Sequence, residues 1–390
     1  MKIVVTLSRI PFPLEKGDKL RAYHQIKSFI ELGHDVHIVC FHFEKALPEN
    51  ISALEKLGGH WYWISLAKAA VPISIFTGIW SHHPWQVLLF HQQHAQKKFS
   101  EIIKEIQPDV LYSQMIRTAE YTKHFHHIPK ILDYMDALSL GLQKRKDKAP
   151  WYTKWFWLDE WERVKKYEGV IAHYFDALTI ISQKDANGIV LPEGKKINVI
   201  SNGIDFDFFS PNNLSGNDAV LFTGNMNYPP NIDAALRLGT QIMPLVWKEK
   251  PDAKLIIAGA EPNKVLIQTL TDQRIQITGW MDDIRNAYQQ GKVFAAPMTM
   301  GSGMQNKILE ALSMGLPVVC SDLAADAFEM DLKKELAVAH DDHEFAQAII
   351  QHLNSQSAKP LDTARQIIQS QFSWKKVTEP LLLLLQSSTR

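Results

Sequence analysis

The chain has 390 residues, is 46% apolar and 22% charged, and balances 42 Lys and Arg against 42 Asp and Glu. These proportions are those of a globular protein and exclude a disordered, collagenous or coiled-coil chain. A formal net charge of zero lacks the basic excess of a chain that neutralises many phosphates, so no nucleic-acid partner is expected.

Short β-branched runs alternate with longer helical stretches along the sequence. This is the βαβα signature of parallel sheets covered by helices on both faces. In the first half the runs predict strands over 3–7, 36–41, 61–65, 110–113, 130–133, 178–182 and 199–201. Helical stretches cover 20–32 and 92–106 between them. In the second half strands are predicted over 220–223, 255–258, 275–278, 293–296, 317–320 and 336–339, with helices over 232–246, 284–290 and 305–314. The most turn-rich stretch runs from Ser201-Asn202-Gly203-Ile204-Asp205 to Gly216-Asn217 and divides the two series. The reading is two doubly wound α/β domains, 1–200 and 201–371. Ligands of such sheets sit beyond the carboxyl ends of the strands, so a cleft between the domains is the expected site.

Cys40 and Cys320 are too few for a disulfide framework and point to a reducing compartment. The opening apolar run is too short for a signal-peptide core. The best apolar stretch, 69–80, contains Pro72 and falls short of the roughly twenty residues of a bilayer span. A cytoplasmic location is therefore expected.

One segment carries the most chemistry. The strand 293–296 leads into Gly301-Ser302-Gly303-Met304, which opens the helix that begins Gln305-Asn306-Lys307-Ile308-Leu309-Glu310. Glycines let a backbone approach a ligand, and free N–H groups at a helix start attract phosphate. Lys307 and Glu310 are three apart and share a helix face. A lysine there suits a phosphate oxygen and a glutamate suits sugar hydroxyls; a tight loop with a surface ion pair is the alternative. Asp136 follows the strand 130–133 in Asp133-Tyr134-Met135-Asp136. It is a candidate sugar ligand or base, or else a helix cap.

The unit from Gly303 to Val319 resembles the donor-binding element of family-4 glycosyltransferases, which have the GT-B fold of two Rossmann-like domains. Other stretches agree in order and spacing. They are Gly17-Asp18-Lys19-Leu20-Arg21, Asn202-Gly203-Ile204-Asp205, Leu221-Phe222-Thr223-Gly224 and Gly279-Trp280-Met281-Asp282-Asp283. The nearest subgroup is the sugar transferases of bacterial exopolysaccharide and surface-glycan loci. The resemblance implies retaining, metal-independent transfer from a nucleotide-diphosphate sugar to a glycan or lipid-linked acceptor, with no cofactor. It implies that the first domain binds the acceptor and the second most of the donor, with a C-terminal helix, 372–390, packing back on the first.

Carried over residue by residue, Glu310 holds donor ribose or sugar hydroxyls, and Lys307 and the Gly303 and Met304 N–H groups face the diphosphate. Gln305, Asn306 and Leu309 share that helix. Gly279 and Trp280 border the base. Gly17, Asp18 and Arg21 reach the phosphates from the first domain. Gly224, Asn225 and Asn227 complete the donor side. Three positions depart from the family pattern. Ser302 stands where many members have a first glutamate, Asn225 to Pro230 lack the usual Arg and Lys, and Ser113-Gln114 replace a histidine. A nucleotide-sugar epimerase of the same fold and a non-catalytic nucleotide-sugar-binding partner are the rival readings.

Residues 144–167 interleave Lys144, Arg145, Lys146, Lys148, Lys154, Arg163, Lys165 and Lys166 with Trp151, Trp155, Phe156, Trp157 and Trp161. A basic, Trp-rich helix suits the anionic inner face of a membrane. Trp157, Trp161, Val164 and Ile171 fall at core spacing instead, leaving Trp151 and Trp155 for membrane or lipid contact. The clusters His82-His83, His91-x-x-His94 and His124-x-His126-His127 lack the company of a standard zinc site, and no metal is expected.

Overall fold

The computed structural model describes residues 1–14, 17–43, 47–70, 78, 80–211, 218–300, 305–355 and 362–388. The chain forms two compact units, one of Met1–Gly203 with Val377–Arg390 and one of Ile204–Lys376.

The first unit is built on a seven-stranded parallel sheet in the order β3-β2-β1-β4-β5-β6-β7. Its strands are β1 (Lys2–Leu7), β2 (Asp35–His42), β3 (His60–Ser65), β4 (Val110–Gln114), β5 (Lys130–Asp133), β6 (Ala177–Ile180) and β7 (Ile197–Val199). The period of two in a strand sends alternate residues to opposite faces. Ile3, Val5 and Leu7 therefore join one core with Ala22, Ile26 and Phe29, while Val4 joins another with Val39, Phe41 and Phe99. These helical residues come from α1 (Gly17–Glu31) and α2 (Gln93–Ile106).

Further helices are α3 (Ile116–Thr122), α4 (Leu138–Lys148) and α5 (Trp151–Ile171). Pro150 separates α4 from α5, because a proline disfavours helix in the residue before it. On α5, Val164 and Ile171 are buried in the core. Trp157 and Trp161 are only half-buried, under the Arg145 guanidinium at 3.7 Å and the Lys146 ammonium at 3.9 Å. The core stripe expected of α5 is thus completed by cation–π contacts at its first two positions.

The second unit holds a six-stranded parallel sheet in the order β10-β9-β8-β11-β12-β13. Its strands are β8 (Ala219–Thr223), β9 (Lys254–Ala258), β10 (Ile275–Gly279), β11 (Val293–Ala296), β12 (Val318–Cys320) and β13 (Leu336–Val338). The helices that matter to the site are α6 (Pro229–Arg237), α7 (Arg285–Gln290) and α8 (Asn306–Ser313). The loops after β8 and β9 touch backbone to backbone. A Cβ on Gly259, at φ +141, would lie 1.9 Å from the Gly224 carbonyl oxygen, so glycine is required there.

The last helix, α9 (Trp374–Ser388), begins in the second unit and ends in the first. Leu381, Leu382 and Leu385 are buried in the same cluster as Ile3, Val5 and Ile26.

Candidate active site

The carboxyl edge of the first sheet gathers charged groups from three loops. Arg9, after β1, pairs with Asp18 on the first turn of α1 at 2.9 Å. Gly17 opens that helix. Met115 and Met135, just after β4 and β5, take φ values of 67° and 69°. Non-glycine residues pay for that conformation, and such strain concentrates where a chain must present a functional group.

The group presented after β5 is Asp136. It does not cap α4; Ala137 is the N-cap and makes no side-chain cap. Its side chain is open to solvent on one side, and the neighbouring protein partly desolvates the carboxyl. Desolvation, and then the carboxylates of Asp185 and Asp18 against the pull of Arg117, raise its pKa to about 6.

Arg21 differs from expectation. Its side chain is 0% exposed, so in this structure it cannot reach a diphosphate. Its Nε donates to Asp133 Oδ2 at 2.7 Å, and its Nη1 donates to Asn202 Oδ1 at 3.0 Å and to the Ser201 carbonyl at 3.2 Å. The Tyr112 hydroxyl donates to the same Asp133 oxygen at 2.6 Å. Asp133 Oδ1 accepts the Met135 N–H at 3.2 Å. Arg21 is an internal anchor that ties the loop of Asp136 to the residues leading out of the unit. The sequence pattern carries no record of that burial.

In the second unit the local order of the sequence becomes a site. Helix α8 puts Ile308, Leu309, Ala311 and Leu312 into the core. Leu309 is 0% exposed, so its side chain serves packing rather than substrate. The other face carries Lys307 and Glu310, both half-buried.

The Lys307 ammonium donates to Asn231 Oδ1 at 2.5 Å and stands 4.6 Å from the centre of the Phe222 ring. Desolvation lowers its pKa to about 8, although Glu310 pulls it up. Glu310 Oε2 accepts the Tyr288 hydroxyl at 2.7 Å. Desolvation raises the Glu310 pKa, against Tyr288 and Lys307. Tyr288 is buried, and its oxygen also lies 2.9 Å from Thr223 Oγ1.

Gly224 leads β8 toward this cluster. A Cβ on it would meet Asn231 Nδ2 at 2.6 Å. Asn231 Nδ2 donates to the Asn225 carbonyl at 2.9 Å, Asn225 Oδ1 accepts the Asn227 N–H at 2.8 Å, and Asn227 Nδ2 donates to Glu261 Oε2 at 3.3 Å. The asparagine loop is therefore braced by its own amides. Gly279 turns at φ +69, and Trp280 beyond it is 59% exposed, an aromatic ring of the kind on which a flat ligand stacks. Gln305 and Asn306 are half-buried at the start of α8. Ser302, Gly303 and Met304 lie outside the described residues.

A half-buried cation, a carboxylate oriented by a neutral phenol and an exposed tryptophan, all near strand carboxyl ends, suit an anionic ligand with a polyol and a flat ring. Residues 217–355 match the family described as Glycosyl transferases group 1. This stretch is similar to glycosyltransferase domains.

Over its whole length the chain resembles an uncharacterized 44.6 kDa protein in the cps region of Klebsiella pneumoniae, with 26% identity over 96% of this chain and 97% of that one. It is 31% identical over 144 residues to an Escherichia coli UDP-Gal:alpha-D-GlcNAc-diphosphoundecaprenol alpha-1,3-galactosyltransferase, covering 33% of this chain and 37% of that enzyme. Among solved structures, HepE of Anabaena in complex with UDP aligns at a TM-score of 0.64 and 14% identity, over 99% of this chain and all of that one. The fold is thus GT-B, with two parallel-sheet α/β units.

Within the matched stretch, the sequence pattern points to Lys307 and Glu310 but not to Tyr288, Asn231 and Thr223. No spacing rule could have found them, because they lie 19 to 84 residues away from the helix pair. In the first unit it missed Arg9, Arg117 and Asp185, whose charges reach Asp136 or its neighbours.

Proposed function

We propose that the protein is a retaining, metal-independent glycosyltransferase of the family-4 type. It moves a sugar from a nucleotide-diphosphate donor to a glycan or lipid-linked acceptor in bacterial surface-glycan synthesis. The observation that carries this reading is the Lys307–Glu310–Tyr288 cluster inside the matched domain. The UDP in HepE and the lipid-linked acceptor in the galactosyltransferase's name support the donor and acceptor classes.

In the reaction the bond from the sugar C1 to the diphosphate oxygen breaks, and a bond from C1 to an acceptor hydroxyl oxygen forms on the same face. The hydroxyl proton passes to the departing phosphate oxygen. Negative charge grows on the diphosphate, where Lys307 and the start of α8 stabilise it. Glu310, oriented by Tyr288, holds donor hydroxyls. Trp280 stacks on the base. Asp136 serves the acceptor side in the first unit.

A thermal-shift panel of UDP, GDP, ADP, CMP and dTDP tests the donor site. One nucleotide is expected to raise the melting temperature, by an amount equivalent to about 2.7 kcal/mol at 100 times its dissociation constant. Its affinity should fall as pH rises through about 8, because the free Lys307 loses its proton there. Lys307→Ala should weaken binding roughly 10- to 100-fold and flatten that pH dependence. If no nucleotide shifts the protein, the donor site is wrong. Consumption of the donor sugar with no acceptor present would favour the epimerase.

The same reading includes contact with the inner face of a membrane. Trp151 is 86% exposed and Trp155 70%, and with Leu158 they form a stripe at helical spacing on α5, beside Lys154. Vesicles rich in phosphatidylglycerol should sediment the protein, and Trp151→Ser with Trp155→Ser should release it. Equal sedimentation of both proteins would reject the patch.

A further inference from the structure

At the opposite, amino edge of the first sheet, three ligand-type side chains converge. Asp35 and His37 are two apart on β2 and so point to the same face. His60 on β3 pairs in register with His37. Parallel pairing thus brings an aspartate and two histidines, distant in sequence, onto one patch. All three ligand atoms lie within 4.8 Å of one another, and this is the one such group among the described residues.

The distances are informative. His37 Nε2 is 3.3 Å and His60 Nε2 is 3.5 Å from Asp35 Oδ1. Two ligands at about 2.0–2.1 Å from a tetrahedral zinc ion stand roughly 3.3–3.4 Å apart.

One tautomer of His37 suits an ion. His37 is 8% exposed, and its Nδ1 lies 3.2 Å from the Tyr62 hydroxyl. With the ring proton on Nδ1 donated to that oxygen, the Nε2 lone pair faces the patch. Such a second hydrogen bond is how metal-bound histidines are oriented. Nε2 itself is buried and makes no hydrogen bond. Lys2, whose charge is felt at His37, is turned to the Ile106 carbonyl at 2.9 Å. His60 and Asp35 are exposed and free to adjust around an ion.

We propose that Asp35, His37 and His60 bind a first-row divalent cation, zinc(II) by the chemistry of two imidazoles and one carboxylate. A fourth position is left to water. The ion would staple β3, the edge strand, to β2. It takes no part in the transfer chemistry, and the proposal stands whether or not the donor site is read correctly.

The test titrates zinc(II) alone into the full-length, chelator-treated protein by calorimetry, with cobalt(II) as a spectroscopic probe. One equivalent should bind, raise the melting temperature and give the visible absorption of tetrahedral cobalt. His60→Ala and Asp35→Asn, both at exposed positions, should each weaken binding at least 10-fold and abolish the thermal shift. Failure of the unmodified protein to bind zinc(II) would overturn the proposal. So would undiminished binding by both variants, which would place the ion on other histidines.

Discussion

Glu310→Ala is expected to lower kcat/KM for sugar transfer by on the order of 10²–10³-fold, the scale seen when one preorganised transition-state contact is removed. Two losses combine. The donor hydroxyls lose their carboxylate. Lys307 loses the one countercharge that holds its pKa up, so less of it is protonated at neutral pH. Glu310→Gln keeps the shape and an acceptor for the Tyr288 hydroxyl, and should lose less of the donor affinity. Tyr288→Phe removes only the orienting bond of 2.7 Å, so a loss of roughly tenfold is expected. Initial-rate assays of the three variants, with circular dichroism to confirm folding, decide the matter. A fully active Glu310→Ala protein would remove this cluster from the chemistry.

The strands of the described residues were legible as short apolar runs, most clearly β4, β8, β11 and β12, which are buried along their whole length in a parallel sheet, where pattern and packing agree. The misplacements are local. The sixth strand was expected to run to Ser182, but it ends at Ile180, and Ser182 instead caps the next helix by accepting the Asp185 N–H at 3.1 Å. The seventh was expected at 199–201 and forms at Ile197–Val199. The break between α4 and α5 falls at Pro150.

The site was legible where its chemistry is local. Lys307 and Glu310 lie one helical turn apart, so their shared face follows from the helix itself. Tyr288 and Asn231 reach that face only through tertiary packing. Asp35, His37 and His60 were invisible for a related reason. A search for clustered histidines along the chain favours neighbours such as His82-His83, whereas a sheet joins residues through register. The motif around Arg21 implies a cation that reaches the donor phosphates, whereas Asp133 and Tyr112 close over this region in the folded unit.

Breaking that buried pair should be the costliest single change in the first unit. Arg21→Ala leaves the Asp133 carboxylate, itself 0% exposed, with only hydroxyl and amide donors. Removing one partner of a buried pair costs about 3–5 kcal/mol. For a unit of this size that corresponds to a fall in melting temperature on the order of 10 °C. Asp133→Ala should be as damaging, and should also free the Met135 N–H whose bond steadies a backbone at φ 69. Activity should therefore fall further than stability predicts, because the loop that presents Asp136 is released. The apolar pair Arg21→Met with Asp133→Leu should recover much of the stability, since it leaves no buried charge unpaired, yet it should not recover activity. Calorimetric melting and transfer assays on the two single variants and the double variant separate these effects. If Arg21→Ala melts within a degree or two of the unmodified protein, Arg21 is not the anchor assigned to it.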